Sequence, residues 1–251
     1  MFMRLLQLNI EQGQTQNFKS FYEATVIPTL KEMPGCEYAA LIENSSSANE
    51  LISLTLWGDQ ASAENYENSE IYSEFRGRIS SYLSDSSEWK VQLSENLELE
   101  YKPLKEEPVI RNYNVAAQSV EGMKDTAGKN SLHVRIVSAK IQKGKETEFS
   151  KIYSSEIIPS LLATKGCLYA NLTQNLESEN SYISLTVWRS KEEADLYEES
   201  GQFDRNVKKV IHAFSDFYRW KLALEKDSGT SIKTSEDLSI SKYVMVAGKK
   251  F

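Results

Sequence analysis

The sequence predicts an α+β fold in which two ferredoxin-like β-α-β-β-α-β repeats close into one barrel within a single chain. Three observations lead to this prediction. A long stretch of the chain recurs 131 positions further on. Within each copy, the hydrophobic pattern alternates between the period of strands and the period of helices. Each predicted sheet also has helices for only one face, so its second apolar face must be covered by something else.

The repeat is clearest at Gly35-Cys-Glu-Tyr-Ala-Ala-Leu41, which returns as Gly166-Cys-Leu-Tyr-Ala-Asn-Leu172. Between Gly13 and Ser69, 23 of 57 positions are identical to their counterparts. Two copies of this length are typical of a duplicated domain and not of a solenoid.

The first half of the first copy reads as strand, helix and strand. Met3 to Glu11 alternates between apolar and polar residues, which predicts a half-buried strand, and apolar residues from Phe18 to Leu30 recur at helical spacing. Pro28 lies inside this helix and predicts a kink or a break in its last turn. Pro34-Gly35 ends the helix, and Cys36 to Glu43 is the second strand.

The second half begins with a polar loop at Asn44 to Asn49 and a third strand at Glu50 to Trp57. Asp59 is expected to cap a short helix. A longer helix follows, with one apolar face made of Ile71, Phe75, Ile79, Tyr82 and Leu83. The pattern leaves open whether Trp89 to Tyr101 is helix, strand or both. Val109 to Ala117 is the last strand.

The second copy has the same order. Its first helix, Glu146 to Leu162, again contains a proline, Pro159. Ser190 and Glu193 have the spacing of a capping box at the start of the next helix. The long helix has an apolar face that runs from Phe203 to Tyr218. The strands are expected at Leu132–Ile141, Cys167–Gln174, Tyr182–Trp188 and Tyr243–Gly248.

The domain boundaries follow from the repeat and from composition. We predict repeat one at residues 1–118, a linker rich in glycine, serine and charge at 119–130, and repeat two at 131–251. Because each sheet lacks a cover for one face, the two sheets are expected to cover each other. The chain should therefore be a monomeric pseudo-dimer; a further homodimer remains open.

Composition excludes several classes of protein. The net charge is −7 and the basic residues are scattered, which argues against nucleic acid as a partner. The N-terminal segment is short and polar, and no apolar run reaches the length of a membrane span. We therefore expect a cytoplasmic protein that does not enter a membrane.

Cys36 and Cys167 are the only cysteines, and they occupy equivalent positions in the two repeats. One interpretation is that each is a small buried hydrophobic residue at the start of a strand. The alternative is a disulfide between the repeats, which the reducing cytoplasm disfavours.

Several of these motifs resemble one known family. A glycine turn, a Phe-rich helix, Gly-Cys before a strand, and a strand ending in Ser-Leu-Thr-x-Trp are similar to the antibiotic biosynthesis monooxygenase domain family of the dimeric α+β barrel superfamily. The resemblance covers both repeats. It implies the barrel fold, a small-molecule substrate and, in one branch, oxygenation of aromatic compounds without a cofactor.

The haem-degrading branch of this family has a pattern that the chain does not match. That pattern places an Asn on the first strand, where this chain has Leu6 or Val137. It also places a Trp where this chain has Tyr66 or Tyr197, and a His where it has Arg76 or Val207. We therefore predict no haem and no other cofactor.

A cofactor-free oxygenase needs an apolar pocket and a group that stabilises the anion of the substrate. The predicted pocket of repeat one is lined by Trp57, Tyr66, Tyr72 and Arg76, and that of repeat two by Trp188, Tyr197, Asn171 and Arg205. Tyr66, Arg76, Tyr197 and Arg205 are the catalytic candidates, because an arginine in either repeat would hold a phenolate. The alternative is that the aromatic residues only pack the core between sheet and helix.

His133 and His212 are the only histidines, and both lie in repeat two. Two histidines without clustered ligands predict no transition-metal site. His133 is a candidate for substrate binding, and as a general base it would favour repeat two if only one repeat is active. The more common role of such a histidine is structural.

The sequence thus supports a cofactor-independent monooxygenase acting on an aromatic or quinol-like substrate. A non-catalytic ligand-binding or stress-related barrel is the second hypothesis, since the fold alone does not decide between them. A structural or partner-binding module is the third, and it would have a filled pocket and an exposed apolar patch.

Overall fold

The computed structural model describes residues 1–93, 99–118, 132–215 and 238–251. The predicted linker and Tyr218 lie outside the described residues.

Repeat one has a strand, a helix interrupted by a π-helical turn, two strands, two helices and three further strands. Its elements are β1 Phe2–Asn9, α1 Thr15–Phe21, a π-helical turn Tyr22–Val26, α2 Ile27–Lys31, β2 Cys36–Asn44, β3 Ser47–Trp57, α3 Gln60–Glu67, α4 Glu70–Ser80, β4 Asp85–Leu93, β5 Leu99–Lys105 and β6 Val109–Gln118.

Repeat two follows the same plan over its described residues. Its elements are β7 His133–Lys140, α5 Glu146–Ile152, a π-helical turn Tyr153–Ile157, α6 Ile158–Leu162, β8 Cys167–Asn175, β9 Ser181–Trp188, α7 Lys191–Glu199, α8 Gln202–Val210, a 3₁₀ turn Ile211–Ala213 and β10 Leu238–Lys250.

Eight strands form a closed barrel in the order β1-β3-β2-β10-β7-β9-β8-β6. The last strand of each repeat joins the two repeats, since β6 pairs with β1 and with β8, and β10 pairs with β7 and with β2. Every pairing is antiparallel. Closure leaves these strands without a free sheet edge. The prediction of an α+β barrel within one chain is confirmed.

The core has three parts. The barrel interior is filled by both repeats, with Tyr38 and Tyr113 facing Tyr169 and Tyr243 in one apolar cluster. The other two clusters lie outside the barrel, where each repeat packs its own helices mainly on its own strands, with Ala117 added to the layer of repeat two and Val246 and Ala247 to that of repeat one. The interior therefore stabilises the closed chain, whereas the two helix layers are where a pocket between sheet and helices can differ from one repeat to the other.

The first helix of each repeat is interrupted one turn before its proline. A π-helical turn at Tyr22–Val26 precedes Pro28, and its equivalent at Tyr153–Ile157 precedes Pro159. A proline lacks the N–H that would continue the α-helical ladder, so a wider turn accommodates it. The predicted kink thus takes the form of a π-helical turn in the middle of the helix.

Steric constraints explain the glycine of the Gly-Cys pair at the start of β2 and β8. Gly35 and Gly166 adopt φ of +79° and +88°. A Cβ at Gly35 would approach the Ser62 side chain to 2.4 Å, and one at Gly166 would meet Glu193 at 2.1 Å. Both the positive φ and the close approach of the following helix therefore favour glycine.

Three local predictions need correction, and the described parts of residues 89–101, which the sequence left open, can now be assigned. The loop after β2 is a turn at residues 45–46, because β3 begins at Ser47. Helix α4 ends at Ser80, so Tyr82 and Leu83 follow it, and Leu83 bridges to Ile10. The described parts of residues 89–101 are strands, which form a separate hairpin. Helix α8 ends at Val210, so Phe214 lies beyond it in a bridge to Ile141.

Both predicted helix N-caps form, but the capping box at Ser190 and Glu193 is only half made. Asp59 accepts a hydrogen bond from the Ser62 N–H at 2.8 Å, as expected. Ser190 accepts one from the Glu193 N–H at 3.3 Å. The return bond of a capping box is absent within the described residues, since the buried Glu193 Oε2 has no hydrogen-bond partner there.

Both cysteines are free and buried. They lie in different helix layers, which rules out the predicted alternative of a disulfide. Burial raises the pKa of each thiol to about 12, so both remain protonated at neutral pH.

None of the helices among the described residues is both long and apolar enough to span a bilayer. The described residues also contain no group of three or more His, Cys, Asp or Glu side chains suited to a metal ion.

Candidate functional site

A cavity of about 320 Å³ lies between the sheet and the helices of repeat one. Its floor is made by the outward faces of β1 and β3. Its walls come from the π-helical turn, α2 and α4, and its mouth is bordered by the segment from Lys105 to Pro108. A volume of this size is at the lower end of the range for small-molecule sites.

Arg4 lies on the floor of the cavity and is almost fully buried. Its guanidinium donates to Asn112 Oδ1 at 2.9 Å, to the Ala63 carbonyl at 3.3 Å and to Glu67 Oε2 at 2.6 Å. A buried guanidinium requires such partners, because an unpaired one would cost several kcal/mol. Arg4 therefore links β1, β6 and α3 below the cavity.

Tyr22 closes one side of the cavity with a fully bonded hydroxyl. The hydroxyl lies 2.7 Å from Ser53 Oγ and donates to the Ala40 carbonyl at 3.2 Å. Burial raises the pKa of Tyr22 above its usual range, although the Ser53 hydrogen bond opposes this. This side of the cavity is neutral at physiological pH.

Tyr66 and Tyr72 form an aromatic wall. The Tyr66 ring stacks on Trp57 with centroids 5.3 Å apart, and Tyr72 meets the edge of Tyr66 at 5.3 Å. Neither hydroxyl has a hydrogen-bond partner among the described residues. Burial raises the pKa of both tyrosines, so each hydroxyl keeps its proton and is available as a donor to a ligand.

Charged side chains surround the mouth. Arg76 is exposed, lines the cavity, and has no ion pair within the part of the chain that the structure describes. On the opposite side, Glu106 accepts a hydrogen bond from Asn9 Nδ2 at 2.6 Å, and Lys105 pairs with Asp85 at 2.8 Å. Glu107 is exposed beside them. The mouth thus presents one unpaired cation and two carboxylates to an entering molecule.

The equivalent cavity of repeat two is much smaller, at about 50 Å³. Its lining differs at three equivalent positions: Phe203 stands where repeat one has Tyr72, Asn206 where it has Phe75, and Val207 where it has Arg76. The Phe203 ring packs 4.3 Å from the Arg135 guanidinium carbon.

The hydroxyl of Tyr197, the residue equivalent to Tyr66, also has a hydrogen-bond partner within the protein. Asn206 Nδ2 donates to the Tyr197 hydroxyl at 3.2 Å. No aromatic substrate fits in the remaining volume. The larger cavity is therefore in repeat one, and not in the repeat that contains the histidines.

Of the nine predicted site residues, the structure brings Tyr66, Tyr72 and Arg76 together on the repeat-one cavity and places Tyr197 on the small cavity of repeat two. Trp57 and Trp188 lie behind these tyrosines, fully buried, and each indole N–H donates to a threonine of its own strand, Thr55 or Thr186, at 2.9 Å. The two tryptophans are core residues that support the aromatic wall.

Three other candidates lie away from both cavities. Asn171 faces the barrel interior, where its Nδ2 donates to the Tyr169 hydroxyl at 3.2 Å. Arg205 is exposed and bonds to Gln202 and to the Ser200 carbonyl. His133 is buried, neither ring nitrogen has a partner in the described chain, and burial lowers its pKa.

The cavity does not fit haem. Neither of the chain's two histidines lines it, since His133 is buried elsewhere and His212 is exposed beside Glu148 at 3.0 Å. The side chains at the positions of the haem-degrading pattern in repeat one, Leu6, Tyr66 and Arg76, all line the cavity and include no imidazole ligand.

Sequence reasoning missed Arg4, Glu67, Tyr22 and Ser53. A signal for the first pair was present, because Arg135 and Glu198 repeat Arg4 and Glu67 at the same spacing of 131. The structure pairs Arg135 Nε with Glu198 Oε1 at 2.6 Å. An arginine and a glutamate that both recur at the spacing of the repeat can thus indicate a buried ion pair.

Solved structures with the same fold extend over the whole chain. A candidate monooxygenase from Fusobacterium nucleatum superposes with a TM-score of 0.70 at 9% identity, covering 99% of this chain and 94% of that one. A candidate monooxygenase from Lactobacillus acidophilus gives 0.66 at 8% identity, with 99% and 95% covered. An anthrone oxidase-like protein gives 0.55 at 10% identity, with 99% and 92% covered. These likenesses concern the fold alone.

No curated protein matches the sequence at a significant level. The family model described as antibiotic biosynthesis monooxygenase matches twice, at residues 1–78 and at residues 132–209. Each match falls in one repeat, and together they cover more than half of the chain. The chain therefore belongs to the antibiotic biosynthesis monooxygenase family.

Proposed function

We propose that the repeat-one cavity is the active site of a cofactor-independent monooxygenase that acts on a small aromatic or quinol-like substrate. The observation that carries the proposal is the pair of unbonded hydroxyls of Tyr66 and Tyr72 beside the unpaired Arg76 in a cavity whose walls are mainly apolar. The similarity in fold to an anthrone oxidase-like protein is consistent with this choice of substrate.

The reaction needs an electron-rich substrate that reduces dioxygen itself. For an anthrone, loss of a proton from the methylene carbon gives a phenolate, which transfers an electron to dioxygen. The resulting radicals combine into a peroxide at that carbon. Loss of water from the peroxide leaves a quinone, so one oxygen atom enters the product, the other leaves as water, and the substrate supplies all four electrons.

In this mechanism the side chains stabilise the substrate anion. Arg76 provides the positive charge for the phenolate oxygen, and Tyr66 and Tyr72 donate hydrogen bonds. Glu106 and Glu107 are the carboxylates that line the mouth and accept the proton. The apolar walls from Val26, Leu30 and their neighbours keep the anion and the radical away from bulk water. Tyr197 and Arg205 take no part in this reaction, because the cavity of repeat two is too small for an aromatic substrate and Arg205 does not line it.

Oxygen uptake with a panel of anthrones and hydroquinones tests the proposal. We expect the wild-type protein to consume oxygen above the rate in buffer with at least one of them. Arg76→Gln should lower kcat by about tenfold, because the substrate anion loses its counter-charge. Arg78→Gln is the matched control, since Arg78 lies on the same helix but packs over Phe21 outside the cavity. An equal loss in both variants, or no uptake in folded wild-type protein, contradicts the proposal.

The second candidate function is that of a non-catalytic barrel that binds a small aromatic molecule. The observation in its favour is that Arg4 and Tyr22, polar groups on the floor and side of the cavity, are both engaged in hydrogen bonds within the protein. Saturable binding of an anthrone without oxygen uptake supports this function and excludes the first.

A cytoplasmic location and a monomeric pseudo-dimer as the functional unit belong to the same proposal. Fractionation of cells and light scattering of the purified protein test these two points. A stable dimer in solution would mean that a further interface exists outside the barrel.

A further inference from the structure

We propose that the small cavity of repeat two is a binding site for a small inorganic anion of the size of chloride or bromide, held by Arg135 and Tyr197. This site is separate from the repeat-one cavity, and its occupant is not a substrate.

The first argument is an unsatisfied guanidinium. Arg135 is 2% exposed and lines the cavity. Its Nε donates to Glu198, but Nη2 is buried without any hydrogen-bond partner among the described residues. A buried polar nitrogen without an acceptor is costly, so an acceptor that binds here is strongly favoured.

The second argument is a surplus of donors. The Tyr197 hydroxyl accepts a hydrogen bond from Asn206, and its own proton has no acceptor in the described part of the chain. The Thr186 hydroxyl already donates to the Arg135 carbonyl at 3.4 Å, and the hydroxyls of Tyr153 and Ser184 bond to each other. The site therefore has donors that lack an acceptor, and a simple anion can only accept hydrogen bonds.

The third argument is charge. Lys242 donates to Asp195 at 2.8 Å and to Glu198 at 3.0 Å, and Lys191 also pairs with Asp195. Together with Arg135, this cluster holds three cations and two carboxylates.

Repeat one has a balanced pair at the same place. There, neutral Asn112 stands at the position of Lys242, and Glu67 neutralises Arg4. Repeat two thus has a lysine beside its arginine–glutamate pair where repeat one has a neutral amide, and this added positive charge near the site favours an anion.

The size of the cavity limits the ligand. A volume of about 50 Å³ holds one monatomic or very small polyatomic ion, and it excludes an aromatic ring. The lining is mainly apolar and includes the rings of Phe203 and Phe149, and such surroundings strengthen the attraction between the guanidinium and an anion.

Crystals grown in sodium bromide and measured at the bromine absorption edge test the proposal. We expect an anomalous peak in contact with Arg135 and the Tyr197 hydroxyl, and none at Arg4. We also expect a Tm several degrees higher in sodium chloride than in sodium gluconate at equal ionic strength, because gluconate is too large to enter.

The Tyr197→Phe variant should lose most of this difference in Tm, whereas Tyr66→Phe, the equivalent change in repeat one, should keep it. A water molecule at Arg135 in place of bromide overturns the proposal. So does a bromide peak with no difference in Tm between chloride and gluconate, which would mean an adventitious ion only.

Discussion

Two hydroxyl groups make the clearest difference between the repeats at the scale of single residues. Tyr66 and its equivalent Tyr197 both stack near a buried tryptophan, but only the Tyr66 hydroxyl is left without a protein partner in the described chain. Tyr72 adds a second such group where repeat two has Phe203. The supporting tryptophans thus recur in both copies, whereas cavity-lining hydroxyls with no hydrogen bond to the described chain occur in repeat one.

The two thiols provide a prediction at this scale. Because burial raises the pKa of Cys36 and Cys167 to about 12, both should be inert in the folded protein at pH 8. Ellman's reagent should detect two thiols in guanidinium chloride, and fewer than about one in ten of them in buffer over several minutes. Rapid labelling of either thiol in the native protein would mean that the helix layer opens readily.

Asp195 provides a prediction for pH. Hydrogen bonds from Lys191 and Lys242 lower the pKa of Asp195 from 3.8 to about 2. Since the pKa is lower in the folded state, the stabilisation is present above pH 4 and is lost as the pH falls towards 2.

Replacing Asp195 with Asn should therefore lower the free energy of unfolding by about 1–2 kcal/mol at pH 5 and by much less near pH 2, as measured by urea denaturation. Glu177→Gln, at an exposed carboxylate, is the control. A loss of the same size at both pH values would show that the charge of Asp195 is not responsible.

At the scale of elements, equivalent strands face different spaces. Leu6 on β1 lies on the floor of the open cavity, and Val137 occupies the same position on β7 below the filled one. The two positions therefore allow a matched pair of substitutions.

We predict that Leu6→Trp changes the free energy of unfolding by less than about 1 kcal/mol, because the larger ring enters empty space. Val137→Trp should cost about 1–3 kcal/mol, because its ring must displace packed side chains. Chemical denaturation of the two variants provides the comparison. Equal losses would contradict the difference in cavity volume.

The order of elements was predictable because strands and helices have different hydrophobic periods and because the repeat provides the pattern of each element twice. The filling of the second cavity was not predictable in the same way. It depends on which face of α8 presents Phe203 and Asn206, and on Gly201, whose left-handed conformation, φ +70°, begins that helix. The sequence left residues 89–101 open; in the described part of the chain, β4 and β5 pair with each other in a two-stranded sheet separate from the barrel.

The two repeats are joined by their last strands, each of which pairs with one strand of its own repeat and one strand of the other. Strand β6 of repeat one pairs with β8 of repeat two, and β10 returns to pair with β2. The need to cover an apolar sheet face predicted closure, but the pairing of strands across repeats depends on contacts far apart in sequence. The tyrosines of the barrel interior come from both repeats, so neither repeat completes that core alone.

We therefore expect the chain to unfold in one cooperative step. Tryptophan fluorescence and far-ultraviolet circular dichroism should give the same denaturation midpoint in urea, because opening one repeat exposes the barrel interior of the other. Two separate transitions would mean that each repeat folds independently, in conflict with the shared core.

The central claim is that one chain binds one aromatic ligand, in the cavity of repeat one. Isothermal titration calorimetry without oxygen, with an anthrone that the oxygen-uptake panel identifies or with the tightest binder among them, measures this directly. The account predicts one molecule bound per chain, binding abolished by Leu6→Trp and binding retained in Val137→Trp. Two molecules bound per chain, or undiminished binding in a folded Leu6→Trp protein, would contradict it.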